Sequence, residues 1–259
     1  MQTQTYNLEI LTPCFCRGAY QDTPEIRIPS IRGMVRWWFR ALGGTAEEEK
    51  KAFGGISNGR AETSRMVFRL KAIEATHSKK IDTLPHKQGN PASPQAAFQQ
   101  GAKFTLEVSS RLGGISPALE TKVINALDVW SLLGSIGLRS NRAGGNIWPL
   151  DGAPKTAQQL AEKLNKHGFR WPLYLAGEEL GTHLEQLRNA ATDTLNGSPQ
   201  IFGKAIGGRL SSPLKFKIVK LDEHLRFLIF AKEENTIRSA QAVLRNKPSR
   251  PDTWKKISI

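Results

Sequence analysis

The chain has 259 residues, with 37 lysines and arginines against 23 aspartates and glutamates and a formal net charge of +14, long enough for one large or two small domains with real cores. The excess is even, +7 in residues 1–150 and +7 in 151–259, which excludes a basic tail on a neutral domain and favours a polyanion contacted along much of the molecule. No apolar run is long enough to span a bilayer, and MQTQTYNLEI lacks the regions of a secretion signal; the expectation is a cytoplasmic protein that binds nucleic acid and not a membrane.

Residues 4–11 alternate around Tyr6, Leu8 and Ile10 and predict a strand. Cys14 and Cys16 follow, and they are the only cysteines. Two thiols with the nearest histidine at His77 do not make a zinc site, so small buried thiols in a reducing compartment are expected, and no cofactor.

The segment RIPSIRGMVRWWFR, Arg27 to Arg40, predicts a helix capped by Ser30. At about 100° per residue Ile31, Val35, Trp38 and Leu42 share one direction. Arg32, Arg36 and Arg40 fall opposite, with Trp37 at the border of the apolar arc. No acidic residue lies between Glu25 and Glu47, so this stripe has no partner nearby in sequence. With Arg27 it reads as a surface for phosphates and a base, against the alternative of an ordinary solvated helix face. The helix continues or restarts to Phe53 and stops at Gly54-Gly55.

Residues 64–73 predict a second strand, 76–101 a polar mobile loop, and 102–109 a third strand. A helix opens at Pro117. It leads through the glycine-rich segment GLRSNRAGGN, Gly137 to Asn146, into a short strand at 147–150. Arg139, Ser140 and Arg142 with Gly144 and Gly145 suit backbone and guanidinium contacts to phosphate. The spacing is that of neither a Walker loop nor GxGxxG.

After a helical connector the plan recurs: a strand at 169–176, demoted by Pro172 to an edge or an irregular pairing; a helix at 178–195; strands at 213–221 and 225–231; a helix at 234–245; and KKISI as a final strand. AFGGISNGRAETSRMVFRL is echoed by IFGKAIGGRLSSPLKFKI, with Phe53-Gly54 matching Phe202-Gly203, Ser64 matching Ser212 and Phe68 matching Phe216. The second copy offers Lys204 and Arg209 as further RNA contacts. The fold class is therefore α+β: two ferredoxin-like (RRM-like) β-α-β-β-α-β modules, at 1–150 and 168–259 around a connector at 151–167, packed through their apolar helix faces. Such open sheets suit single-stranded RNA. The five histidines form no catalytic or metal motif, and no catalytic residue is assigned.

Together these segments resemble one family. TPCFCRGAYQ, then EIRIPSIRGMVRWWFRAL, then FG, then SRMVFRL is similar to the N-terminal signature of the Cmr-one subunits of type III-B CRISPR effector complexes, in the RAMP superfamily. The positions that carry it are Thr12, Pro13, Phe15 and Gly18; Arg27, Pro29, Ser30, Arg32 and Gly33; and Arg36, Trp37, Trp38, Arg40 and Ala41. GLRSNRAGGN resembles the superfamily's glycine-rich loop, interrupted at Ala143, and Arg209, Ser212, Pro213 and Leu214 resemble its R-x-x-S-P-L strand start. The resemblance implies a non-catalytic subunit contacting guide RNA near its 3′ end, single-stranded target RNA and other effector subunits. The alternatives are a guide-processing RAMP endoribonuclease and an assembly module that faces acidic proteins.

Overall fold

The computed structural model describes residues 2–20, 22–57, 59–87, 94–111, 113–193, 198–204, 207–208, 210–244 and 251–259. Strand β1 (Gln4–Ile10) buries Leu8 and Ile10. Helix α1 (Ile28–Ala41) starts two residues before Ser30; Arg27 is the capping residue and makes no side-chain cap bond. Pro29 lies in the first turn, where a missing N–H costs nothing. After Gly43 (φ +92°) comes α2 (Ala46–Phe53), which opens on a complete capping box between Thr45 and Glu48.

Next come β2 (Gly55–Ser57), β3 (Arg60–Glu62), β4 (Met66–Glu74), β5 (His77–Asp82), β6 (Pro94–Phe98) and β7 (Lys103–Ser110). The second half of this run corrects the mobile loop expected at 76–101. β5 and β6 pair antiparallel from His77 opposite Phe98 to Asp82 opposite Pro94, and residues 88–93 lie outside the described ones. The buried triplet Ala96-Ala97-Phe98 supplies the apolar anchor that the polar surroundings hide, and Cys14 and Phe98 exchange both backbone bonds.

Helix α3 (Pro117–Leu133), capped by Ser116, leads to β8 (Ile147–Pro149), then α4 (Ala157–Lys166), β9 (Leu173–Ala176), α5 (Leu184–Thr192), α6 (Pro199–Phe202), β10 (Lys215–Leu221), β11 (His224–Phe230), α7 (Glu234–Leu244) and β12 (Trp254–Ile257). The helix expected from 178 is broken by Gly181 (φ +67°) into a 3-10 turn and α5. Asp222 and Glu223 both take positive φ in the β10–β11 turn, as a two-residue hairpin of primed type requires.

The architecture is mixed α+β with antiparallel sheets. One sheet runs β4-β7-β1-β8 and the other β10-β11-β9-β12. Numbered within its own sheet, each reads 2-3-1-4, and every pairing is antiparallel. β9 is thus an inner strand and not the edge expected from Pro172. The proline precedes the first paired residue, Leu173, so no ladder bond needs its nitrogen.

The Phe-Gly echo is a repeated helix end. Gly54 and Gly203 share φ +74°, and at each a Cβ would lie 2.5 Å from a carbonyl oxygen, of Glu62 or Leu210. Ser64 Oγ donates to the Met66 carbonyl at 2.8 Å with the Ala52 carbonyl also in reach, and Ser212 Oγ to the Leu214 carbonyl at 2.7 Å with the Ile201 carbonyl in reach. An arginine closes each helix, Arg32 on the Phe53 carbonyl and Arg142 on the Phe202 carbonyl.

The halves do not meet helix face to helix face. Val35 and Trp38 of α1 and Leu127 and Trp130 of α3 share one core with Leu173, Val219, Leu228 and Phe230, which form one face of the second sheet. The other face, with Phe216, Ile218, Phe227 and Ile229, packs on Leu187, Ala190, Ile237 and Ala240 of α5 and α7. The second sheet is therefore covered on both sides, which explains its unbroken buried runs.

Candidate nucleic-acid interface

The end of β1, the start of α1 and the glycine-rich segment converge. Leu138 N donates to Phe15 O at 3.0 Å, Gly145 N to Pro13 O at 3.0 Å, and Asn146 N to Thr12 Oγ1 at 2.9 Å. At Gly137 (φ +85°) a Cβ would sit 2.5 Å from Phe15 O, and at Gly145 (φ +58°) 2.0 Å from Ile136 O. These glycines bring backbone close to backbone. Gly144 is equally enclosed, 2.5 Å from Leu138 O, so neither Gly144 nor Gly145 is on the surface that the phosphate-loop reading gave it.

The same segment closes one edge of the second sheet, strand β10. Phe216 N donates to Asn141 O and Ala143 N to Phe216 O, both at 3.1 Å, while Ile218 N donates to Asn146 Oδ1 at 2.8 Å. An unpaired strand edge is a liability, and here the other half covers it. Lys217, buried, donates from Nζ to Ser135 Oγ at 2.8 Å and to the Ser140 carbonyl at 2.9 Å, so Ser140 contributes its backbone to the junction. Burial and then Lys215 hold Lys217 well below the usual lysine range.

Arg142 is a further correction. Besides the Phe202 carbonyl, its guanidinium lies 5.0 Å from the Phe216 ring centroid and 5.5 Å from that of Phe202. Burial, then Arg139, lowers its pKa to about 10. It holds α6 to the junction instead of facing solvent. Arg139, in the left-handed region at φ +60°, stays exposed.

On α1 the stripe has partners that local sequence conceals. Arg36 Nε and Arg40 Nη1 both reach Glu49 Oε1 on α2, at 2.6 and 2.5 Å, and the Glu49 side chain is 8% exposed. Burial raises the Glu49 carboxyl, but together the bonds from Arg40 and Arg36 outweigh it and hold it below the ordinary range. Arg32 is spent on Phe53 O. Trp37 sits edge-on to Trp171 at 5.8 Å and to Trp38 at 4.9 Å. Lys215 Nζ lies 5.3 Å from its centroid. Lys215 also donates to the Ser212 carbonyl at 2.7 Å; burial first, then Arg142, pushes its pKa down to about 8. This lysine was not singled out from sequence, although its place directly after Ser212-Pro213-Leu214 was the available signal.

Arg27 and Arg139 are exposed on either side of the 14–18 segment, Arg27 near enough to act on the Cys16 thiol. Cys14 and Cys16 are buried and free. Lys204 is exposed, its Nζ on the Gly207 carbonyl at 3.0 Å. Arg209 lies outside the described residues. Ser30 is half-buried within the first turn of α1. Of these cations, Arg27, Arg139 and Lys204 stay exposed, Arg40 is exposed though paired, and Lys215 is half-buried beside Trp37; Arg27, Arg139, Lys204 and Lys215 make up the candidate cation band. Among the described residues no helix is long and apolar enough to cross a membrane, and no cluster of histidine, cysteine and carboxylate side chains is arranged to hold a metal.

The profile of the RAMP superfamily matches residues 7–148, more than half of the chain. This chain belongs to the RAMP superfamily. Within it the chain is similar to CRISPR system Cmr subunit Cmr1-1 of Pyrococcus furiosus, with 26% identity over 163 residues that cover 56% of this chain and 44% of the relative. It is also similar to Cmr subunit Cmr1-2 of the same organism, 40% identical over 67 residues covering 22% of this chain and 36% of the relative. The matches span less than half the length of these curated relatives. Among solved structures, apo Cmr1 from Pyrococcus furiosus superposes with a TM-score of 0.62 at 18% identity, covering 90% of this chain and 89% of that one. A chain of the type III-B Cmr-beta complex bound to cognate target RNA gives 0.57 at 12% identity, covering 91% and 97%. The resemblance of this RAMP protein to the Cmr-one type therefore holds in sequence and in fold.

Proposed function

We propose that this RAMP protein is a non-catalytic, RNA-binding subunit of a cytoplasmic type III-B CRISPR ribonucleoprotein, contacting guide RNA near its 3′ end or target RNA, alongside other effector subunits. The observation that supports the reading is that the chain just before α1 and the glycine-rich segment both bond to the same short stretch, Glu25 N to Cys16 O and Leu138 N to Phe15 O, close to the exposed Arg27 and Arg139. Trp37 and Lys215 continue that surface across the junction. One relative in fold belongs to a complex bound to cognate target RNA, which supports the same reading. We infer that each sheet with its helices is a ferredoxin-like module, with boundaries at 1–150 and 168–259 and a connector at 151–167; the repeated 2-3-1-4 order and the repeated helix end support it. The sheet-edge contact makes the modules one surface, so the RNA lies along their junction and not on the second sheet, whose faces are both covered.

Incubating the purified protein with guide and unrelated single-stranded RNA tests this. Stable, EDTA-insensitive binding with both RNAs left intact is expected. Absence of binding to RNA ends the reading, and site-specific cleavage of repeat RNA in EDTA replaces it with that of a guide-processing endoribonuclease.

A further inference from the structure

A cluster with no residue in the cation band lies where β1, α3 and the end of α4 meet. His167, directly after α4, holds Nδ1 3.2 Å from Asn125 Oδ1 and 3.3 Å from Asp128 Oδ2. Both partners accept, so Nδ1 carries the proton and the Nε2 lone pair is left for another donor. Asp128 is itself fixed from the far side, accepting from Tyr6 OH at 3.0 Å. Burial, ahead of the Asp128 charge, keeps the imidazole below its ordinary pKa and so neutral near pH 7. His167 and Asp128 line a polar cavity of about 320 Å³ that Lys163 and Lys166 also border, at the small end of ligand pockets.

The two lysines stand three residues apart on the last turn of α4; neither is in an ion pair among the described residues, and both act at longer range on the Asp128 carboxylate. The Asp151 carboxylate at the same cavity is engaged by Asn7 Nδ2 at 2.8 Å. The pocket thus presents a neutral acceptor beside two cations held in no ion pair, with the Asp128 and Asp151 carboxylates already engaged by His167, Tyr6 and Asn7. A ribose bearing a 3′-phosphate offers the complement, a hydroxyl donor next to an anion, and the 2′-hydroxyl is the group by which RNA differs from DNA.

We propose that this pocket is a ribonucleotide site, in which His167 Nε2 accepts the 2′-hydroxyl of a ribose while Lys163 and Lys166 neutralise its 3′-phosphate. Asp128, Asn125 and Tyr6 are positioning residues that fix the ring. The site is independent of the cation band and adds a preference for ribose that phosphate contacts cannot supply.

The test uses the full-length protein labelled with 15N-histidine and two probes, cytidine 3′-monophosphate and its 2′-deoxy counterpart, followed by calorimetry and by the His167 ring resonances. The ribonucleotide is expected to shift the His167 Nε2 resonance and to bind about tenfold more tightly than the deoxy form, the worth of one hydrogen bond. His167→Gln should erase that ratio, and Lys163→Ala with Lys166→Ala should weaken both probes about tenfold or more. The His167 resonance shift and the ribose preference should persist in Arg27→Ala with Arg139→Ala, whatever that variant loses at the band, which separates this site from it. Equal affinity for the two probes, an unmoved His167 resonance at millimolar nucleotide, or loss of the His167 shift in the Arg27/Arg139 variant would overturn the proposal.

Discussion

At the scale of single residues, the two adjacent indoles of α1 have opposite dependencies. Trp38 is 2% exposed among Phe169, Trp171 and Phe230, so Trp38→Ala should cost about 3–5 kcal/mol in denaturant unfolding. Trp37 is half-buried beneath Lys215, and its replacement should cost RNA affinity more than stability. The helical period alone separates these neighbours, which is why both were legible in the sequence. Glu49 was not: it stands nine residues beyond Arg40 on another helix, and only the turn at Gly43 returns it to the arginine stripe. Glu49→Gln should cost about 1–3 kcal/mol at neutral pH, in keeping with bonds to charged groups. Because the folded carboxyl titrates below its unfolded value, that contribution is present above the ordinary glutamate pKa and is lost as pH falls through the folded one. Urea midpoints of wild type and variant should therefore converge on acidification, and a gap that does not narrow as pH falls contradicts the ion-pair account. Lys215 has the other sign. Its pKa of about 8 in the free protein rises when a phosphate approaches, so binding takes up a proton. RNA affinity should fall as pH rises above 8, and Lys215→Gln should remove that fall.

At the scale of elements, the glycine-rich segment shows what a motif hides. Its composition was legible as a place of close approach, but the thing approached is its own chain, residues 13–15 and 136, and the edge of β10. Gly145→Ala forces a Cβ to 2.0 Å from Ile136 O at φ +58°. It should destabilise by more than about 1 kcal/mol, and also loosen β10, visible as faster amide exchange at Phe216 and Ile218. Unchanged protection there would show that the segment does not hold the edge. Arg142 was misread for the same reason: its partners, Phe202 and Phe216, are 60 and 74 residues away, and no local pattern announces them. The β5–β6 hairpin was missed because composition measures only average polarity. Arg188 of α5 holds the Asp82 carbonyl, and His86 Nδ1 lies 3.0 Å from Thr192 Oγ1, contacts made by the second half of the chain. The Phe-Gly echo, in contrast, was readable residue by residue, because a helix end that needs positive φ and a serine bridge admits few alternatives.

At the scale of the whole molecule, the mixed α+β class and the family were legible, while the way the halves meet was not. Hydrophobic periodicity shows which face of α1 is buried without naming its neighbour, here the second sheet and not a second helix. A shared core through Trp38, Trp130 and Phe230 predicts that both halves melt in one cooperative transition, with far-ultraviolet dichroism and tryptophan fluorescence coincident. Two separated transitions would mean independent domains and a broken RNA surface. On the proposed reading the band's cations meet phosphates and not base edges, so unrelated single-stranded RNAs of equal length should compete within a few fold.

The most direct test of the central claim is the salt dependence of single-stranded RNA affinity for wild type and for Arg27→Ala with Arg139→Ala. Each phosphate neutralised on a single strand contributes about 0.7 to the slope of log affinity against log salt. The double variant should therefore bind more weakly at low salt, with a slope shallower by about 1.4, while its melting temperature is unchanged because both side chains are exposed. Equal affinity and equal slope for the two proteins would contradict an RNA interface at this junction.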